Sequence, residues 1–139
     1  MEVTDRFFRE IRGALLPVAP AEPAPRGLRS AGVLVPLRDS GGEIMVTLGR
    51  RTEQVPHHKG QVCFPGGSRD AGDRDLLATA MREAEEEMGI RGADVELLGA
   101  MERVPTVTGF CIQPFVVRIP RDVRFRLDGF EMAETFDAP

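Results

Sequence analysis

The stretch "REAEEEMGI", residues 82–90, puts four glutamates into five positions: Glu83, Glu85, Glu86 and Glu87. Like charges three or four residues apart on a helix repel by roughly 0.2–0.5 kcal/mol per pair, so such a cluster needs a reason. At about 100° per residue, Glu86 and Glu87 fall within about 60° of Glu83, while Glu85 lies on the far side. Three carboxylates therefore share one helix face. Leu77, Ala80, Met81, Ala84 and Met88 form the neighbouring apolar stripe, so the three acids border a core-facing surface. No lysine stands at i+4 to support them, and Arg82 is the one nearby cation in the stretch. Two readings follow. One is a solvated helix face; the other is a set of hard oxygen ligands for a divalent cation such as Mg²⁺, which keeps waters and substrate phosphates as further ligands.

The flanking segments set how those carboxylates are held. Just upstream, "QVCFPGG" reads as a short strand broken by Pro65, Gly66 and Gly67, and paired glycines let backbone approach a ligand closely. Asp70, Asp73 and Asp75 are residue types that favour a helix N-terminus, and Gly89 fits the residue that ends the helix after Met88. "SAGVLVPL" (30–37) and "EIMVTLGRR" (43–51) predict two strands joined at the turn Asp39-Ser40-Gly41-Gly42. "DVELLGAMERV" (94–104) and "GFCIQPFVVRI" (109–119) predict two more, and the tail after Pro120 has only weak alternation.

Residues 4–16 place Phe7, Phe8, Ile11, Leu15 and Leu16 near one helical stripe, with Thr4 or Asp5 as N-cap. The Pro- and Ala-rich "PVAPAEPAPRG" (17–27) predicts an extended connector. Strands on both sides of one strong helix predict a mixed sheet with helical cover, an α+β arrangement.

Bulk properties narrow the function. A chain of 139 residues suits one domain, residues 1–139, with 1–28 as N-terminal helix and connector. A formal charge of −4 gives no electrostatic reason to expect nucleic acid as a partner. No apolar run nears the roughly 20 residues that span a bilayer, and the first residues lack a signal-peptide core, so a cytoplasmic protein is expected. Cys63 and Cys111 are far apart and in no C-x-x-C pair, which predicts buried free thiols.

Residues 67–90 resemble the Nudix box, whose pattern is G-x5-E-x7-R-E-U-x-E-E-x-G-U with U aliphatic. Arg82, Glu83, Ala84, Glu86, Glu87, Gly89 and Ile90 match its second half. The first half departs from it. The interval from Gly67 to Arg82 is one residue longer, and the early glutamate is missing, with Asp73 and Arg74 near its place. The departure resembles the Nudix subgroup that cleaves coenzyme A, whose extra motif runs R-(S/T)-x-x-(L/V)-x-x-H-x-G-Q-(V/I)-x-F-P-G-G. Here "RTEQVPHHKGQVCFPGG" (51–67) supplies Arg51, Thr52, Val55, His58, Gly60, Gln61, Val62 and the closing Phe-Pro-Gly-Gly in register, and Asp70 and Asp73 also match that subgroup's longer loop. Chains of that subgroup typically continue past the match to "FDAP" with a further helix, whereas this sequence ends at Pro139.

The resemblance implies an α/β/α sandwich with the box as loop–helix–loop. It implies Mg²⁺- or Mn²⁺-dependent hydrolysis of a diphosphate, with coenzyme A giving 3′,5′-ADP and 4′-phosphopantetheine. Other substrates open to the superfamily are NADH, ADP-ribose or a nucleoside triphosphate; a binding-only module is the alternative of a different class. By resemblance, Glu83, Glu86, Glu87 and the Gly67 carbonyl would ligate metal and Arg82 would orient a carboxylate. Arg51, His58, Gly60 and Gln61 would serve the substrate, and Glu83, Glu131 or Glu134 would act as general base. The expected partner is a small molecule, with neither nucleic acid nor membrane; a homodimer is compatible with the sequence.

Overall fold

A computed structural model describes residues 3–18, 24–53, 60–127 and 132–139. The elements are α1 (Val3–Ala14), β1 (Arg29–Ser40), β2 (Glu43–Arg51), β3 (Val62–Cys63), β4 (Gly66–Ser68), α2 (Leu76–Met88), a 3₁₀ turn (Gly92–Asp94), β5 (Glu96–Ala100), β6 (Val104–Pro105), β7 (Phe110–Arg118) and β8 (Met132–Ala138). The strands form one mixed sheet with the order β3-β2-β1-β7-β5; β4 also pairs with β1, β6 with β7 and β8 with β2. The β1–β7 pair is parallel over Arg29–Leu37, and the other pairs are antiparallel.

The sheet forks beside β1. β7 takes one edge of β1 along nearly its whole length, so β2 and β4 must share the other edge. β2 pairs there with Leu37–Ser40, and β4 with Ala31–Val33. That fork is where the Gly66–Gly67 segment enters the sheet.

Alternation along the strands sends side chains to two apolar layers. Leu34, Phe115 and Val117 pack with Leu76, Ala80, Ala84 and Met88 of α2. Leu37, Leu98 and Val116 pack on the opposite face with Phe8, Ile11 and Leu15 of α1 and its end. The sheet thus lies between two helices, the expected α/β/α arrangement. Among the described residues, no helix is long and apolar enough to cross a membrane.

Four expectations need correction. Thr4 and Asp5 lie inside α1 rather than before it, and Thr4 is buried, with its side chain hydrogen-bonded to Asp39. Phe7, placed on the apolar stripe, is exposed, while Phe8 is buried. The predicted strand 94–104 is interrupted at 101–103, leaving β5 and the short β6. The tail, whose weak alternation predicted no defined strand, forms β8, held by Thr47 Oγ1 donating to Asp137 Oδ1 at 2.8 Å and by an Arg38–Asp137 ion pair. Both cysteines are free, Cys111 buried and Cys63 half-buried.

Candidate functional site

Helix α2 is positioned by its ends and by one glycine beneath it. Asp75 caps it, its side chain accepting from Ala78 N at 2.8 Å, an interaction worth about 1 kcal/mol. Gly89 closes it at φ 72, in the left-handed region that glycine adopts without strain. A Cβ on Gly32 of β1 would stand 2.3 Å from the Leu76 carbonyl oxygen, so the helix sits directly on the strand. Gly67 pairs with Gly32 across β4 and β1, which carries Gly67 under the same helix.

The two glycines meet two different glutamates. A Cβ on Gly67 would lie 2.7 Å from Glu83 Cδ. The amide of Gly66 donates to Glu87 Oε2 at 3.4 Å. Glu87 is 2% exposed, deeper than the helical projection predicts, and belongs to the buried face with Leu76 and Thr79, whereas Leu77 and Met81 are only half-buried.

Glu83 and Glu87 are within hydrogen-bonding reach of each other. Burial raises the Glu83 pKa above its ordinary value and the Glu86 charge adds to it, while Arg82 and the hydrogen bond with Glu87 oppose it. Glu86 lies at the rim, its side chain 58% exposed. Among the described residues, no three His, Cys, Asp or Glu side chains converge as a ready-made cage.

Arg82 links these groups. Its Nη1 donates to Glu83 Oε1 at 2.9 Å and lies 3.5 Å from Glu86 Oε2. Nε and Nη2 donate to the two carboxylate oxygens of Asp73 at 3.1 and 3.0 Å. Nη2 also reaches the Ser68 carbonyl at 3.3 Å. Asp73 is buried and further accepts from Asp70 N at 2.9 Å and Thr79 Oγ1 at 2.8 Å. These donors, the Arg82 guanidinium first, hold the Asp73 carboxyl well below the usual range.

The upstream motif reaches the same place through Cys63. Its half-buried thiol interacts with Arg51 by a hydrogen bond and with the Glu87 charge, and burial pushes its pKa up. Arg51 N donates to the Gln61 carbonyl at 2.9 Å, and Gly60 N to the Thr52 carbonyl at 3.4 Å, with Gly60 at φ 66. Gln61 is exposed. His58 and Glu131 lie outside the described residues.

Glu134 is not brought to Arg82. It pairs with Arg50 at 2.5 Å between Nε and Oε1. A Cβ on Gly49 would run into Met132, part of the α2-side core, so the adjacent Arg50 and its partner face the opposite side of the sheet.

Asp73, matched to the subgroup's loop in the sequence but given no site role there, and Thr79, not singled out at all, both belong to the site. The available signal was Asp73 standing beside the place of the absent glutamate, nine positions before Arg82.

The NUDIX domain model matches residues 28–134. A curated relative from Enterobacter sp. (strain 638), named "Uncharacterized Nudix hydrolase NudL", is 41% identical over 113 residues, covering 80% of this chain and 57% of the relative. The chain therefore spans little more than half the length of that protein. Among solved structures, a C. elegans Ap4A hydrolase binary complex superposes with TM-score 0.68 at 21% identity, covering 78% of each chain. The Nudix hydrolase RenU of M. smegmatis gives TM-score 0.68 at 19% identity, covering 79% of this chain and 70% of its own. The chain belongs to the Nudix domain family.

Proposed function

We propose that this Nudix chain carries a metal-dependent pyrophosphohydrolase activity, with coenzyme A as substrate. The observation that carries the reaction class is the pairing of Glu83 and Glu87 beneath the Gly66–Gly67 segment. Two carboxyls that share a hydrogen bond away from water hold a proton between them, and a divalent cation can take that proton's place. Their oxygens, together with Glu86 and the Gly67 carbonyl, suit a hard cation such as Mg²⁺ or Mn²⁺, which takes its remaining ligands from water and phosphate.

When bound, such an ion neutralises diphosphate charge and makes water more acidic. The protein's own groups supply the rest. Glu83, fixed by Arg82, is the described base candidate that lies at this site. It would accept the proton of the attacking water while water oxygen bonds to phosphorus and the bridging P–O bond breaks. Arg82 is already engaged by Asp73 and Glu83, so its part is orientation.

The substrate assignment rests on "RTEQVPHHKGQVCFPGG" (51–67), whose closing Gly66 and Gly67 lie against Glu87 and Glu83. Turnover of coenzyme A, ADP-ribose and NADH, measured side by side with Mg²⁺ and Mn²⁺, tests it. A kcat/KM for coenzyme A at least tenfold above the others is expected. Preference for ADP-ribose or NADH would keep the reaction class and discard the substrate.

A further inference from the structure

We propose that Asp73 is a positioning residue for the carboxylate helix: it fixes the Arg82 guanidinium, and through it the direction of Glu83. The inference rests on the metal-binding reading of α2 and adds to it a residue outside the helix. In the Nudix box pattern, the early acid stands eight positions before the arginine; here that position is Arg74, whose side chain is 86% exposed and turned to Asp75. Asp73 stands one residue earlier, has a shorter side chain and is buried.

The geometry explains why one carboxylate suffices. A guanidinium gripped through Nε and Nη2 by both oxygens of one carboxylate has its plane fixed, which leaves Nη1 a single direction. That direction is Glu83 Oε1 at 2.9 Å, with Glu86 beyond at 3.5 Å. Asp73 is itself fixed from two sides. Asp70 N donates to it from the loop, and Thr79 Oγ1 from the first turns of α2. Without Asp73, the surface carboxylate of Asp70, 3.4 Å from Nη2, and the Ser68 carbonyl would compete for Arg82. The Glu83 carboxyl would then lose its set orientation beside Gly67.

Mn²⁺ binding measured by electron paramagnetic resonance, in the absence of substrate, tests this on wild type, Asp73→Asn and Thr79→Val. Thermal melts confirm that each protein is folded. Outer partners of metal ligands typically contribute about 10–100-fold in affinity. Asp73→Asn is expected to weaken Mn²⁺ binding at least about tenfold, and Thr79→Val, which removes one of the donors that hold Asp73, by about two- to fivefold. Asp73→Glu should recover part of the loss. A folded Asp73→Asn that melts lower yet binds Mn²⁺ as wild type does would overturn the proposal, leaving Asp73 a structural residue. If Asp73→Asn does not fold, Thr79→Val decides, and unchanged affinity there is equally contrary. Wild type that binds no Mn²⁺ would overturn the metal-site reading itself, and this proposal with it.

Discussion

Gly67 and Glu83 touch so closely that a single methyl group between them would stand 2.7 Å from the Glu83 carboxyl carbon. Its neighbour Gly66 is crowded by backbone instead, with a Cβ 2.4 Å from the Gly32 carbonyl oxygen and 2.7 Å from Val33 Cα. The difference gives opposite expectations for two adjacent glycines. Gly67→Ala can be absorbed by moving the end of the Glu83 side chain, so the fold should survive and kcat should fall at least about tenfold. Gly66→Ala must move strands, and should cost about 1–3 kcal/mol in denaturant unfolding. A Gly67→Ala protein with wild-type kcat would mean that the placement of Glu83 does not matter to turnover.

Two carboxylates of the site should have opposite effects on stability as pH changes. The Asp73 pKa is depressed, so its contribution is present above its ordinary value of 3.8 and is lost as pH falls toward the folded value. The Glu83 pKa is raised, so its contribution is present below its ordinary value of 4.5 and is lost as pH rises through the folded value. Urea unfolding at pH 7 should therefore find Glu83→Gln more stable than wild type, though inactive. Asp73→Asn should be less stable by about 2–4 kcal/mol, with a flatter acid limb below about pH 4. A Glu83→Gln protein less stable than wild type at pH 7 would contradict the burial of that charge.

Glu134 offers a negative control. Its partner is Arg50 and its face of the sheet is the one away from α2, so Glu134→Gln should leave kcat within about twofold. Loss of this half-exposed ion pair should cost no more than about 1 kcal/mol. Glu83→Gln should lower kcat at least about a hundredfold. A loss in Glu134→Gln as large as that in Glu83→Gln would contradict the placement of Glu134 away from the site.

The residues that could be read in advance were those whose signals are local. β2 (Glu43–Arg51) agrees with the sequence because Gly41 and Gly42 bound an apolar, β-branched run. Asp75 and Gly89 mark α2 by chemistry that acts within one turn. β8 was not legible, since its alternation is weak and Asp137 is held by Thr47 and Arg38, 90 and 99 residues away. The burial of Glu87 was not legible either. A projection around one helix contains no trace of the Gly66 amide, which donates to that carboxylate from a neighbouring strand. Asp73 suited a helix start by type, and only the folded loop shows that both its oxygens are given to Arg82.

The most direct test is mass spectrometry of coenzyme A incubated with the purified protein and Mg²⁺, alongside Glu87→Gln and a chelator control. 4′-Phosphopantetheine and 3′,5′-ADP are expected in equal amounts, absent with chelator and reduced at least about a hundredfold in the variant. Coenzyme A left intact by a folded, Mg²⁺-supplied wild-type protein, or cleaved equally well by Glu87→Gln, would contradict the proposed activity.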